Sequence, residues 1–289
     1  MLSDIIENGG RMKKNICIVL LFILMATSSF GYETLGGNDE LIVETSVMIN
    51  GSYLNSDTQH ILVEDTVFVV GRYLVEAFGG TIEWIESTQT VKMTLEERII
   101  EIVIGSTEAI VDGVQVQLYK APFIKDGRTM IPLKFVSEHF GCEVSWIQST
   151  YTVDIIKDGL EVPEELTYDR TYSDDDLYIL SKIVTVESGD KSLEMAMAIA
   201  NTVLNRVKDS RFPDSVQGVI YQVDVYKQFP PAHKSSFETL EPTQLSIIAS
   251  KKALEGVNNI GNSLFFNNQP FKSKSDDLIR VIDGEYFYN

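Results

Sequence analysis

LYILSKIVTVESGDKSLEMAMAIANTVLNRV, residues 177–207, reads as helix, tight turn, helix. Leu177, Leu180, Ile183 and Val184 recur at helical spacing and mark the buried face of the first helix. Glu187 continues that stripe, seven residues after Leu180 and four after Ile183, so a carboxylate points the way the apolar side chains point. Gly189 can end the helix in a left-handed conformation, and Asp190 and Ser192 are N-cap types for the next one. Leu193, Met197, Ala200, Val203, Leu204 and Val207 form the apolar face of that second helix. A carboxylate withdrawn from water beside apolar groups holds its proton more tightly, as a general acid near neutral pH requires. The residues alone leave two readings of Glu187 open: such an acid, or an ordinary half-exposed Glu at a helix end.

Outward from this pair, Asp174-Asp175-Asp176 suits the positive end of the first helix better than a metal site. Pro213-Asp214-Ser215 opens a short helix through Val216, Val219 and Ile220. Gln222–Glu241 reads as a long irregular stretch, of the kind that often belongs to a site. Glu241-Pro242-Thr243 begins a helix ending at Gly256. Leu264-Phe265-Phe266-Asn267-Asn268 reads as a strand, and Ile279–Ile282 with Tyr286–Tyr288 as a final hairpin around Asp283-Gly284.

Towards the N-terminus the sequence repeats itself. An offset of 62 residues aligns Gly51, Glu76, Phe78, Gly79, Trp84 and Val91 with Gly113, Glu138, Phe140, Gly141, Trp146 and Val153, without a gap. Two copies of so long a unit suggest a packed pair rather than a solenoid. Each copy predicts a hairpin at Asn50-Gly51 or Asp112-Gly113, then a helix over Val70–Phe78 or Pro132–Phe140. A second hairpin follows, with Trp on its first strand and Val on its second; Ile99–Ile104 and Val114–Leu118 add further strands. The matched positions of Trp84 and Trp146 suit core tryptophans better than sugar-stacking platforms. Lys157–Tyr172 is polar and aperiodic and reads as a linker, with the boundary near Thr167.

Met12-Lys13-Lys14 before the apolar run Ile16–Ala26 reads as a signal peptide, with small residues at Ser28, Ser29 and Gly31 for cleavage and Met12 as the start. The run is short for a membrane span, which takes about 20 residues. Net charge is −18; residues 32–168 carry −15, and residues 169–289 carry −4. Such a chain lacks the clustered Lys and Arg that phosphate contacts need, so nucleic acid is an unsuitable partner. Cys17 would leave with the leader, which strands Cys142 without a disulfide partner. His60 and His139 stand alone, without metal-ligand spacing.

Two resemblances organise these observations. Glu187-Ser188-Gly189-Asp190-Lys191-Ser192 and Ala198–Val207 resemble the bacterial cell-wall hydrolases of the spore cortex-lytic (SleB) type. Arg211–Val216, Gly218–Gln222, Gln228-Phe229 and Gly284–Tyr288 extend the likeness over residues 173–289. Ala121–Glu138 resembles the copper amine oxidase N-terminal-like stalk domain, over about residues 45–157. That likeness concerns the stalk module and implies no copper. The first copy has Val70 where the second has Pro132, which leaves it as a packing partner.

The expected fold class is α+β: a duplicated small α/β stalk-like unit, then a mainly helical, lysozyme-like catalytic domain. The expected organisation is a signal peptide at 1–31, the repeat at 45–157, a linker at 158–172 and the catalytic domain at 173–289. The cortex-lytic resemblance implies Glu187 as the catalytic acid of a lytic transglycosylase cutting between N-acetylmuramic acid and N-acetylglucosamine, with no cofactor or metal. Gln228, Phe229, Phe266 and Asn267 are the residues expected to contact the glycan, through aromatic faces and amides. Peptidoglycan strands are the expected partner, with other wall components at the repeats, membrane contact through the leader alone, and a secreted, wall or spore-envelope location. The competing readings are a non-catalytic wall-binding protein and a water-using muramidase or glucosaminidase with a second carboxylate, for which Asp190 and Glu194 are the nearest residues. The family commonly has Glu where this chain has Lys191, and Gly-Gln where it has Met195-Ala196. A cation at Lys191 is expected to lower the pKa of Glu187.

Overall fold

The structure, a computed structural model, describes residues 42–189, 191–223, 227–271 and 276–289. The expected signal peptide and Cys17 lie outside the described residues. No helix among the described residues is long and apolar enough to cross a membrane.

The repeat begins with strands β1 (Ile42–Ile49), β2 (Ser52–Leu54), β3 (His60–Val63) and β4 (Thr66–Val70), helix α1 (Gly71–Ala77), and strands β5 (Thr81–Ile85), β6 (Thr90–Leu95) and β7 (Arg98–Val103). The second copy follows as β8 (Glu108–Val111), β9 (Val114–Gln117), β10 (Phe123–Lys125), β11 (Arg128–Pro132), α2 (Leu133–His139), β12 (Glu143–Ile147) and β13 (Thr152–Ile156). Both opening turns have positive φ at their two central residues, 48° and 85° at Asn50-Gly51 and 51° and 81° at Asp112-Gly113. That is the type I′ turn whose twist matches the strands it joins. Val70 precedes its helix with φ −65°, the same as Pro132, so the missing proline costs the first copy no change in geometry.

The two copies exchange their opening strands. The first copy's Trp hairpin, β5–β6, continues through β7 into β8–β9, the hairpin that opens the second copy. In return β1 lies parallel to β13, with Ser46 beside Thr152 and Ile49 beside Ile155. Leu74 and Val75 from α1 and Leu133 and Val136 from α2 fill one shared core. Phe78 and Phe140, equivalent in the repeat, meet edge to face at 6.5 Å. Each such fully buried aliphatic side chain contributes about 1.5–3 kcal/mol, so neither copy has a core of its own to keep.

One expectation is corrected here. Trp84 and Trp146 are 42% and 38% exposed, not core residues. They face Val91 and Val153 across their hairpins as the pattern requires, but β5 and β12 are both edge strands, and no strand among the described residues pairs with their outer edges. The segment 158–172, expected as a linker, docks on the repeat. Asn50 accepts from Lys157 N–H and donates to the carbonyls of Lys157 and Leu160. Leu160, Val162 and Leu166 pack on the repeat core, and β14 (Thr167–Tyr168) pairs with β2.

The rest is a helical domain: α3 (Asp174–Ser188), α4 (Leu193–Lys208), α5 (Val216–Ile220), α6 (Ser235–Glu238) and α7 (Gln244–Leu254). A small sheet, in the order β15 (Phe265–Asn267), β17 (Glu285–Tyr288), β16 (Leu278–Ile282), closes it. Ser173 and Asp176 form a capping box at the start of α3, while Ser192, Ser215 and Thr243 cap α4, α5 and α7. Part of the expected irregular stretch is ordered as a 3₁₀ turn at Pro230–His233 and as α6. Val43, Leu62 and Tyr151 of the repeat join the core of this domain, and Lys252 pairs with Glu44 at 2.6 Å.

Candidate active site

Leu177, Leu180, Ile183 and Val184 are fully buried, which seats α3 against α4 and α7. Their stripe carries Glu187, in the last turn of α3, into a half-buried position. The backbone leaves the helix at Gly189 with φ 56° and ψ −135°, a conformation that favours glycine. Ser192 then caps α4 by accepting from Met195 N–H; Asp190 lies outside the described residues.

Burial is the main cause that raises the pKa of Glu187, and the charge of Glu285 raises it further. Arg206 opposes both. Arg206 repeats on α4 what Glu187 does on α3: three residues after Val203, it continues an apolar stripe inward and is 4% exposed. Its Nε donates to the Leu264 carbonyl at 2.8 Å, and its guanidinium stacks over Phe212, Phe229 and Phe265 at 5.2–5.6 Å. Burial pushes its pKa down to about 10, so it is still a cation at neutral pH.

The expectation about Lys191 is corrected. Its Nζ lies 2.7 Å from Glu285 Oε1, so its charge is spent on that carboxylate and the net shift of Glu187 is upward. Beside it, Asp283 accepts from Ser192 N–H at 3.0 Å and Oγ–H at 2.5 Å, and these bonds hold its carboxyl below the usual range. The turn between β16 and β17 thereby clamps the α3–α4 junction from the far end of the chain. Glu194, a candidate second carboxylate, is tied to Arg280.

The expected glycan contacts divide. Phe229 is 1% exposed beneath Arg206 and offers no face to a sugar, because the proline-rich turn after it folds the ring into the core. Phe266 is half-buried, stacked on Phe287 at 5.9 Å. Asn267 is half-buried and donates to the Gln269 carbonyl, and Gln228 is half-buried at the edge of the 3₁₀ turn. The pattern reading missed Arg206, Asp283 and Glu285. Arg206 carried the same signal as Glu187, a charge on a buried stripe; the other two carried none, since nothing local announces which loop docks 90 residues away.

Residues 190–288 match the cell wall hydrolase family, and residues 48–155 the copper amine oxidase N-terminal domain. The C-terminal domain is thus similar to the cell wall hydrolases. It is 30% identical over 97 residues to a spore cortex-lytic enzyme of Oceanobacillus iheyensis, a match covering 34% of each chain. The chain thus spans about a third of that relative's length. The catalytic domain of the germination-specific lytic transglycosylase SleB of Bacillus anthracis is matched over its whole length and 42% of this chain, with 25% identity and a TM-score of 0.37. The SleB catalytic domain of Bacillus cereus is matched over 94% of its length and 42% of this chain, at 25% identity and a TM-score of 0.36. Glu187 stands three residues before the matched stretch of the hydrolase domain, so the case for it is its own geometry.

Proposed function

We propose that this chain is an exported peptidoglycan-cleaving enzyme, a lytic transglycosylase acting between N-acetylmuramic acid and N-acetylglucosamine, with residues 1–31 as its leader and the cell wall or spore envelope as its place of work. The observation that carries the reading is Glu187: a half-buried carboxyl whose proton is held by burial and by the charge of Glu285, on the last turn before a helix junction. The named relatives support the substrate class. Glu187 protonates the glycosidic oxygen as the bond to the anomeric carbon breaks. The sugar's own 6-hydroxyl then closes on that carbon and returns its proton to Glu187. One bond is exchanged for another, no water is consumed, and the product ends in a 1,6-anhydro sugar. One acid suffices for this chemistry, and Glu194 and Glu285 are both occupied by cations. Among the half-buried residues, Gln228, Phe266 and Asn267 stay in place as glycan contacts.

Mass spectrometry of fragments released from purified sacculi tests this. Anhydro ends that vanish in Glu187→Gln are the expected result. Reducing ends would move the enzyme to the water-using glycosidases, and release unchanged by Glu187→Gln would remove the acid from its role.

A further inference from the structure

The exposed tryptophan of the first copy stands at a cavity of about 410 Å³, built wholly from the repeat. Its walls come from both copies: α1 and β5–β6 of the first on one side, the β10–β11 hairpin of the second on the other. Trp84, 42% exposed, has its indole N–H fixed to Glu86 and faces the space with Tyr73 and Ile82. Ile124, 49% exposed at the hairpin, completes the apolar lining. Two large apolar side chains left in water at the rim of one cavity mark a surface kept for a ligand. The polar rim is prearranged. Asp57 accepts two hydrogen bonds from the Arg128 fork and another from the Tyr73 hydroxyl. Arg72 and Glu83 line the same cavity, Arg72 held only by a loose 3.4 Å contact to Glu76 and Glu83 by no hydrogen bond to a described residue.

The geometry points to a saccharide-binding site at Trp84, taking a short stretch of uncharged β-linked N-acetylhexosamine strand. A pyranose ring presents an apolar C–H face, which suits a fixed indole, and a girdle of hydroxyls and acetamides, which suits paired Arg and Glu. Arg72 and Arg128 line the cavity with Glu83, and the carboxylates of Asp57, Glu76 and Glu86 stand against Arg128, Arg72 and the Trp84 indole, so the rim carries no excess of positive charge and suits a neutral polar ligand better than an anionic one. In the second copy Phe135 replaces Tyr73 and stacks on His139 at 4.2 Å, and Trp146 packs edge-on against Tyr151, itself buried at the junction with the hydrolase domain. Duplication thus left one copy open to ligand and bound the other to the neighbouring domain. The choice of a wall sugar rests on the wall-cleaving reading; the cavity does not.

Calorimetry on the full-length Glu187→Gln protein with chitotetraose, the N-acetylglucosamine tetramer, tests the site. Trp84→Ala should weaken binding roughly three- to tenfold, Trp84→Phe should restore most of it, and Trp146→Phe should leave it unchanged. With Trp146→Phe in place, the remaining Trp84 emission should change on titration. Affinity indifferent to Trp84→Ala and Arg72→Ala, or a stem tetrapeptide binding where the tetramer does not, would overturn the assignment. Release of anhydro fragments by the Glu187 protein reads the hydrolase domain separately. Loss of that activity with intact Trp84 binding would sink the proposed function and spare this one.

Discussion

The repeat and the hydrolase domain treat buried titratable groups in opposite ways. In the repeat, His60 is buried with one ring nitrogen 3.4 Å from the Leu54 carbonyl, and burial keeps it neutral by pushing its pKa down to about 4. Cys142 is likewise kept protonated, its thiol pushed up to about 11 by burial. In the hydrolase domain Arg206 keeps its charge inside, stacked on three aromatic rings, and Lys182 lies over Tyr178 and Phe237 with its Nζ on the Glu238 carbonyl. A buried charge is costly unless partners surround it. One domain avoids the cost and the other meets it beside Glu187, which is where chemistry would need a fixed field.

The strongest way to break this contrast is Glu187→Gln. Activity on sacculi should fall by about 10²–10⁴ with far-UV circular dichroism unchanged. Because the folded pKa of Glu187 is raised, its contribution to stability is full below the unfolded value and is lost as pH rises through the folded value. Glu187→Gln should therefore unfold at a higher temperature than the parent at neutral pH, by roughly 1–2 °C, and equal it in acid.

His60 predicts the reverse for the repeat. Its folded pKa is depressed, so its contribution is present above pH about 6.5 and is lost as pH falls towards about 4. Denaturant titrations should show a loss of up to about 3 kcal/mol across that window, and His60→Gln should flatten it. Next in size, Arg206→Met should cost about 2–3 kcal/mol by leaving the Leu264 carbonyl unpaired. It should also move the alkaline limb of the pH–rate profile upward, since a cation that favours ionised Glu187 is gone. Glu285→Gln should move that limb downward, by removing a negative charge and freeing Lys191. Limbs that stay put in both variants would mean that Glu187 does not set the profile. Least of all, Arg98→Ala breaks an exposed pair with Asp112 and should change stability by under about 1 kcal/mol.

Much of this arrangement was legible in order of residues. The 62-residue offset, the turns at Asn50-Gly51 and Asp112-Gly113, the cap of α4 at Ser192, the starts of α5 and α7, and the inward course of Glu187 all follow from spacing and local backbone preference. These are short-range properties, decided within a turn of helix or a hairpin. The position of Trp84 was not legible, because the alternation that places it on a face is silent about whether a neighbour covers that face. The upward shift at Glu187 follows the buried stripe, but the influence of Lys191 was misread for the same reason: it is four residues away along the chain, and its charge belongs to Glu285.

The sequence by itself determined two copies, a helix pair and one acid on a buried stripe, since periodicity and capping act between near neighbours. Only the tertiary structure decided that both tryptophans stay exposed, that the copies trade strands, and that Asp283 and Glu285 reach back to the helix junction. Those outcomes depend on which surfaces meet after the chain has folded, and contacts across 90 residues leave no mark in local pattern.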